Sequence, residues 1–254
     1  MKDNLDIKKK LSCLKVSRSD IVMLHVDSAI SAQYKLKNNR QNINLLCKEI
    51  MEYFKPHGTV IVPTFTYSFT NKKKFNPQKS KSKVGLFTEI FRKIKNVSRT
   101  KHPIFSIAIY GKMKKELLKC SIKDCFGDGT FFDFLYKNNG KIICMGCDLD
   151  RITFIHYLEQ KLEVPYRYFK FFDGSIVNKK KETKHKIRYF VRNLSLNLIT
   201  DLSKLDGKKY KRYLGKIKFG RFYLKSISSK NLYKIGKSLI KKDVFSLTKK
   251  NEKI

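Results

Sequence analysis

Apolar residues along the first 145 positions follow two patterns, short runs of adjacent residues and a repeat at helical spacing. Segments 19–25, 58–66 and 141–145 each contain a short run of adjacent apolar residues and predict short buried strands. Over residues 41–54 the apolar positions recur at helical spacing instead. This order is strand, helix, strand, and the strands are apolar at most positions instead of alternating between apolar and polar residues. Both features are typical of a parallel α/β unit. We therefore predict an α/β fold with a central, mostly parallel sheet flanked by helices.

The remaining segments extend this pattern and then change it. Further elements are predicted as a helix at 84–95, a strand at 104–111, a helix at 131–136 behind a Gly-rich turn, and a closing helix at 231–241. Past residue 165 the pattern loosens into short aromatic-rich strands, at 188–192 and 219–224. These predict a smaller antiparallel portion in the C-terminal third.

Length and composition favour one domain spanning residues 1–254. Hydrophobic residues make up 41% of the 254 positions, which is enough for a substantial core. The Lys-rich segment 71–83 is predicted as a loop, and residues 243–254 as a flexible tail. No apolar run approaches the roughly 20 residues of a membrane span, and no apolar signal region follows the N-terminus. We therefore expect a cytoplasmic protein.

The net charge of +36 has two compatible interpretations. Only 10 of the 57 basic residues are arginine, whereas nucleic-acid-binding proteins rely on arginine forks, so we expect no specific nucleic-acid partner. A lysine excess is also what an AT-rich genome would encode, which would make the charge a solvated surface. The alternative is attraction of anionic ligands, including weak attraction to an anionic membrane surface.

The six cysteines do not form a disulfide or metal pattern. Cys144 and Cys147 make one CxxC pair, but no second pair offers the spacing of metal ligands. We interpret them as structural or incidental cysteines and expect no metal.

His156 and Glu159 are the main candidates for chemistry. They are three residues apart in a predicted helix that follows the strand at 141–145, so their side chains share one helix face. An imidazole beside a carboxylate is how a general base is oriented. Other polar residues follow or precede predicted strands: His25, Ser28, Thr64, Thr66, Arg99, His102, Asp148, Asp150 and Thr153. Because ligands bind at the carboxyl ends of parallel strands, we expect several of these to line one pocket.

Each of these residues also has a structural alternative. Thr64 and Thr66 would serve equally well in capping turns, and Asp150 as a helix N-cap. The glycines at 127 and 129 would supply positive φ angles. No Walker or Rossmann glycine motif is present, so ATP and NAD lack support.

The order of motifs resembles the aminoglycoside 3-N-acetyltransferase family. That family has a strand ending in His-Ser-Ser, then GT-hydrophobic-MPTFT, RSxHPxxSxxAxG, a GxGS turn, and a final strand leading to DxNTxxHxxE. The matching segments here are HVDS at 25–28, GTVIVPTFT at 58–66, RTKHPIFSIAIYG at 99–111, GDGT at 127–130, and residues 140–159. Residues 164–167 (VPYR) also match. The resemblance covers roughly residues 17–170 and continues weakly through 215–241.

The resemblance implies the antibiotic N-acetyltransferase fold, which is distinct from the GNAT fold, and acetyl transfer from acetyl-CoA to a primary amine. It implies that His156 is the catalytic base and that Glu159 orients its ring or holds the incoming ammonium. The cofactor-binding residues that it implies are His25, Ser28, Thr64, Thr66, Arg99 and His102. The substrate-binding residues that it implies are Asp148, Asp150 and Thr153.

The chain departs from the family pattern at three places. Val26 and Asp27 replace the paired serines, Ile152 replaces the asparagine, and the Lys-rich loop at 71–83 replaces an acceptor-side insertion. A field from +36 charges would repel polycationic aminoglycosides and attract an anionic acceptor. We therefore expect the acceptor to be an amino sugar, nucleotide-linked and used in bacterial surface-glycan synthesis. The alternatives are an aminoglycoside acetyltransferase of antibiotic resistance, a nucleic-acid-binding protein and a catalytically silent relative.

Overall fold

A seven-stranded sheet lies at the centre of the computed structural model, which describes residues 5–178 and 181–251. The strands are Ile21–Val26 (β1), Thr59–Pro63 (β2), Ser98–Arg99 (β3), Ile107–Gly111 (β4), Lys141–Met145 (β5), Arg167–Asn178 (β6), Lys181–Arg192 (β7), Leu198–Thr200 (β8), Gly215–Phe219 (β9), Phe222–Ser228 (β10) and Thr248–Lys250 (β11). The α-helices are Ile7–Cys13 (α1), Asn39–Phe54 (α2), Leu86–Phe91 (α3), Lys114–Leu118 (α4), Phe131–Lys137 (α5), Ile155–Lys161 (α6) and Ser229–Lys242 (α7).

The sheet is parallel at its centre and antiparallel at both edges. Its strand order is β3-β4-β2-β1-β5-β10-β9. β1 runs parallel to β2 and to β5. β4 joins β2, and β10 joins β5, in the antiparallel direction. The predicted α/β fold with a parallel centre and antiparallel strands in the C-terminal part is confirmed.

Alternation along the central strands divides the core into two layers. Val22 and Leu24 of β1 point to one face of the sheet, where they join α2 and α3, and Met23 points to the other. Helices α5, α6 and α7 cover that second face, through buried residues such as Phe132 and Leu158. Because both faces are covered, the central strands are apolar at nearly every position, which explains their unbroken sequence pattern.

Helix α2 shows how local signals and burial act together. The Asn38 side chain accepts a hydrogen bond from the Gln41 backbone N–H at 3.0 Å, which caps the first turn. Leu46 and Ile50 lie four residues apart and are fully buried against the sheet. Burying each such side chain stabilises the fold by about 1.5–3 kcal/mol. The helix ends at Phe54, two residues before Pro56.

Strands β6 and β7 form a long hairpin outside the main sheet. Twelve residue pairs join them, from Arg167↔Arg192 to Asn178↔Lys181. Phe75 pairs with Ile176, which attaches the hairpin to the Lys-rich 71–83 segment. The sequence predicted only its second strand and only in part, at 188–192.

Two C-terminal predictions differ from the structure. The strand predicted at 219–224 is interrupted by a turn, where Gly220 has a φ of 55° between β9 and β10. The tail predicted to be flexible at 243–254 contains β11, which pairs with β8 and buries Leu247; residues 252–254 lie outside the described chain. In the part of the chain that the structure describes, no helix has the length and apolarity to cross a bilayer.

Candidate active site

His156 and Glu159 lie on one face of α6, and their side chains touch. The Nδ1 atom of His156 is 2.6 Å from Oε2 of Glu159. The Glu159 side chain is fully buried, whereas 20% of the His156 side chain is exposed. The contact expected from their spacing is therefore present, with the carboxylate beneath the imidazole and the ring at the surface of a cavity.

Two further side chains hold Glu159 in place. The Tyr166 hydroxyl donates to Oε1 at 3.0 Å, and Nε of Arg167 lies 2.8 Å from Oε2. Burial alone would raise the pKa of Glu159, but the charge of Arg167, the adjacent His156 ring and the Tyr166 hydroxyl outweigh it and lower the pKa. Glu159 is therefore ionised at neutral pH.

The Nδ1 atom of His156 lies between an acceptor and a donor. Oε2 of Glu159, at 2.6 Å, only accepts hydrogen bonds, and Nη2 of Arg167, at 2.8 Å, only donates them, so Nδ1 pairs with one of the two at a time. When Nδ1 donates its proton to Glu159, Nε2 keeps a free lone pair, which is the form that a general base needs.

Arg167 adds a positive charge against the same ring. Its Nη2 atom lies 2.8 Å from Nδ1 of His156. Burial and then the Arg167 charge lower the pKa of His156, and the opposing effect of Glu159 does not cancel them. The imidazole is therefore neutral at pH 7 and ready to take up a proton.

The exposed edge of His156 faces a cavity of about 370 Å³, which we call the base cavity. Most of its wall comes from the β6–β7 hairpin. The residues that line it are His156, Arg167, Tyr168, Lys170, Phe172, Tyr189, Val191, Arg192, Leu194 and Thr200.

A second cavity of about 530 Å³ lies at the carboxyl ends of β1, β2 and β5, and we call it the donor groove. The residues that line it are Leu24 to Ser28, Pro63, Phe65, Tyr67, Lys83, Val84, Gly85, Thr88, Cys147, Asp150, Arg151 and Thr153. Strand ends that are distant in sequence meet here because parallel strands finish at one edge of the sheet.

Backbone and side-chain hydrogen bonds shape the floor of the donor groove. The Asp27 N–H donates to the Met145 carbonyl at 2.9 Å, which ties the end of β1 to the end of β5. The Ser28 hydroxyl accepts from the Phe87 N–H at 3.0 Å. Gly146 turns the chain away from β5 with a φ of 72°, and a Cβ atom there would meet Ile30 at 3.1 Å.

One turn of chain and one aromatic ring connect the two cavities. Thr153 lines the donor groove, and His156, three residues later, lines the base cavity. The Phe105 ring contacts Tyr67 of the donor groove at 5.7 Å and Tyr189 of the base cavity at 5.2 Å between centroids. The site is therefore two adjoining compartments rather than the single pocket that the sequence predicted.

Among the predicted cofactor-binding residues, His25 and Ser28 line the donor groove. Burial lowers the pKa of His25 to about 4, so its ring is neutral. Its Nε2 atom is buried and has no hydrogen-bond partner among residues 5–178 and 181–251.

The side chains of Thr64 and Thr66 lie elsewhere. Both are buried, and neither lines the donor groove. The Thr64 hydroxyl donates to the Ser106 carbonyl at 3.0 Å, and the Thr66 hydroxyl donates to the Pro103 carbonyl at 2.8 Å. Both threonines therefore have a structural role, although not the turn capping considered above. Their hydroxyls join β2 and the residues after it to the segment before β4.

Arg99 is also engaged inside the protein. Its guanidinium donates to the carbonyls of Thr64 and Ser80, each at 2.5 Å, and lies over the Phe75 ring. Burial lowers its pKa to about 9. Arg99 therefore fastens the Lys-rich segment to the end of β2 and does not offer its charge to a cofactor phosphate.

His102 is a buried structural residue. Its Nε2 lies 3.1 Å from the Asp124 carbonyl, and its Nδ1 accepts from the N–H groups of Ile104 and Phe105. Burial lowers its pKa to about 4. Both ring nitrogens are used, so His102 has no free group for a cofactor.

The predicted substrate-binding residues are divided between the groove and the surface. Thr153 and Asp150 line the donor groove rather than the base cavity, and Asp150 also accepts from the Leu202 N–H at 2.5 Å. The Asp148 side chain is 88% exposed and lies 3.6 Å from Lys225. Of these three residues, none lines the cavity in front of His156.

Four residues at the site were not predicted from the sequence to have a role there. Tyr166 and Arg167 belong to the matched 164–167 segment but received no role, and their distance of seven or eight residues from Glu159 carries no helical signal. Lys83 and Arg151 line the donor groove, and neither differs in sequence from the many other cations.

Comparisons with known proteins agree with this architecture. A family model described as aminoglycoside 3-N-acetyltransferase matches residues 26–241. The SPbeta prophage-derived aminoglycoside N(3')-acetyltransferase-like protein YokD of Bacillus subtilis is 28% identical over 85 residues. Those residues are 33% of this chain and 30% of that protein, so the match spans less than a third of the relative.

Solved structures are similar over nearly the whole chain. YokD of Bacillus subtilis aligns with a TM-score of 0.77 at 15% identity, covering 96% of this chain and 98% of that one. The aminoglycoside acetyltransferase AAC(3)-Xa gives 0.78 at 17% identity, with coverage of 96% and 93%. AAC-IIIb in its binary complex with CoASH gives 0.75 at 16%, with coverage of 92% and 94%. These likenesses show a shared fold.

Proposed function

The chain belongs to the aminoglycoside 3-N-acetyltransferase family, and on that premise we propose that it transfers an acetyl group from acetyl-CoA to a primary amine. The observation that carries the proposal is the His156–Glu159 pair. The imidazole, whose pKa is lowered, lines a cavity, and its Nδ1 atom is 2.6 Å from a buried carboxylate. An imidazole oriented by a carboxylate in this way is suited to act as a general base.

The acceptor amine is protonated in water near pH 7 and has no lone pair in that form, so it gives one proton to solvent before attack. The neutral amine nitrogen then bonds to the thioester carbonyl carbon, and Nε2 of His156 takes the second proton, which the nitrogen releases as the new bond forms. The C–S bond then breaks, and the proton passes to the departing CoA thiolate. Glu159 remains ionised and stabilises the imidazolium that forms between these two steps.

The donor groove is the proposed site of acetyl-CoA. AAC-IIIb, which has the same fold, is known in a complex with CoASH. Lys83 and Arg151 line this groove, and their charges suit the phosphates of the cofactor. Thr153 lies between the groove and His156, which gives the thioester a short route to the base. His25 and Ser28 remain candidates for contacts with the pantetheine portion.

The acceptor is proposed to be an amino sugar, a class that includes the aminoglycosides. The names of the family and of its relatives favour an aminoglycoside over the nucleotide-linked acceptor of surface-glycan synthesis that the sequence analysis put first. A specific observation favours an anionic acceptor instead, because Arg167, Lys170 and Arg192 line the base cavity. Charges of this sign oppose a polycation and attract a phosphate.

Thiol release from acetyl-CoA, measured across a panel of amines, tests the proposal. The panel contains neutral amino sugars, nucleotide-linked amino sugars and kanamycin-class aminoglycosides. We expect release that depends on an added amine and a product acetylated on nitrogen, identified by mass spectrometry. Acetyl-CoA that is neither bound nor consumed with any of these amines would reject the proposal.

A further inference from the structure

The base cavity has an unbalanced charge. Three cations line it, Arg167, Lys170 and Arg192, and no carboxylate does so among the described residues. Arg167 is neutralised by the buried Glu159. Lys170 and Arg192 have no carboxylate within 4.0 Å in residues 5–178 and 181–251. Two positive charges therefore remain uncompensated beside the proposed base.

The hairpin places Arg192 opposite another arginine and Lys170 opposite an aromatic residue, Tyr189. Arg192 pairs directly with Arg167 across the two strands, and like charges in directly opposite positions destabilise a sheet. Lys170 lies on the other strand from Arg192, with its ammonium 5.5 Å from the centre of the Phe172 ring. The Arg192 charge also lowers the pKa of His156, which indicates that it acts on the imidazole.

We propose that Lys170 and Arg192 form an anion-binding subsite of the base cavity, which selects acceptor amines that carry a phosphoryl group. This inference rests on the proposed acetyl transfer and specifies its acceptor. Arginine binds phosphate through two parallel N–H donors, and lysine adds a mobile point charge. A phosphoryl group bound at this subsite would compensate the positive charge that Arg192 adds opposite Arg167, and an amine on the same molecule would lie in the same cavity as His156.

The polycationic alternative meets the opposite field. A protonated aminoglycoside in this cavity would lie beside two free cations, and the described lining offers it no carboxylate. Recognition of a polycation needs acidic side chains within a few ångströms, since attraction falls with distance and is screened by salt. The lining therefore discriminates between acceptors by the sign of their charge.

Acceptors that differ only in one phosphoryl group test the subsite. Glucosamine 6-phosphate is compared with glucosamine, and UDP-linked glucosamine separates a sugar phosphate from a nucleotide source. We expect kcat/KM for a phosphorylated acceptor to exceed that for glucosamine by roughly 10- to 100-fold, the range for hydrogen bonds to charged groups. Equal or faster turnover of glucosamine or kanamycin would overturn the inference.

The variant Lys170→Ala/Arg192→Ala should lose that preference. Its matched control is Lys234→Ala/Lys237→Ala, which removes two exposed charges from α7, outside the base cavity. We expect the ratio between phosphorylated and neutral acceptor to fall towards one in the first variant and to stay unchanged in the control. An unchanged ratio in both, or an equal fall in both, would contradict a local subsite.

Equilibrium binding separates this inference from the proposed function. Calorimetry with glucosamine 6-phosphate, in saturating CoA to occupy the donor groove, needs no turnover. Binding that is lost in the cavity variant and kept in the control supports the subsite even if no amine is acetylated. Binding that is absent in the wild type, or equal in all three proteins, overturns it. Retained CoA binding by the cavity variant shows that it is folded.

Discussion

The parallel centre of the sheet and the β6–β7 hairpin build the two halves of the site in different ways. The centre brings together the ends of β1, β2 and β5, so the donor groove is shaped largely by where strands stop. The hairpin lies outside the main sheet and lines the cavity in front of His156, the proposed base, with side chains that include Lys170, Tyr189 and Arg192. The first half depends on backbone topology, and the second on side-chain chemistry.

Because the two halves are built differently, substitutions in each half should affect different properties of the enzyme. Substitutions on the hairpin should alter the choice of acceptor and the pKa of His156, and they should leave acetyl-CoA binding unchanged. Changes at the strand ends should alter donor binding alone. The two halves meet at the start of α6, where the backbone N–H of His156 donates to the carbonyl of Thr153, the residue three positions before it.

The largest effect is expected at His156. Substitution His156→Gln keeps a polar side chain of similar length and removes the base, so kcat should fall by roughly 10²- to 10⁴-fold. Acetyl-CoA binding, measured by calorimetry, should be unchanged because the residue lies outside the donor groove. Turnover within a few-fold of the wild type would show that the proton goes to another group.

Arg167 should set the pH range of activity. The base works only when neutral, so kcat/KM is present above the pKa of His156 and is lost as the pH falls through it. That pKa is below 6.5 in the native protein, through burial and the Arg167 charge. Arg167→Gln removes the charge, so the acid limb should move to higher pH by roughly 1–3 units.

The matched control for this change is Arg167→Lys, which keeps the charge and should leave the limb near its native position. Arg167→Gln also breaks a buried ion pair, at an expected cost of about 3–5 kcal/mol in the free energy of unfolding. The pH profile is therefore measured at a temperature where thermal unfolding shows both variants folded. If the acid side of the kcat/KM profile did not move in Arg167→Gln, the Arg167 charge would not be a cause of the lowered His156 pKa.

The smallest effects are expected in the donor groove. Lys83 and Arg151 are exposed, and each exposed ion pair contributes about 0.2–1 kcal/mol, so alanine at either position should raise KM for acetyl-CoA by roughly two- to five-fold. KM for the amine should not change, and Lys237→Ala serves as a control for the loss of one charge. If the substitutions changed KM for the amine and left KM for acetyl-CoA unchanged, the amine rather than acetyl-CoA would bind in the donor groove.

Much of the fold could be predicted because its central elements carry local signals. The strands near 21, 59 and 141 are buried on both faces, and α2 repeats its apolar residues every three or four positions. The hairpin was recognised only in part, since most of its residues are exposed or half-buried on both faces, and its charges and aromatic rings interrupt any regular alternation. A strand at 219–224 was wrong because Gly220 adopts a turn that the surrounding aromatic residues concealed.

Periodicity along the chain was enough to predict the layered α/β core and the contact between His156 and Glu159, because helix and strand spacing fixes which neighbours share a face. Which polar residues remain available for chemistry depends on how the chain folds. Thr64, Arg99 and His102 resemble site residues in sequence, yet their polar atoms are used by backbone groups distant in the chain. Burial and hydrogen bonding depend on such long-range contacts, which the spacing of residues along a chain does not encode.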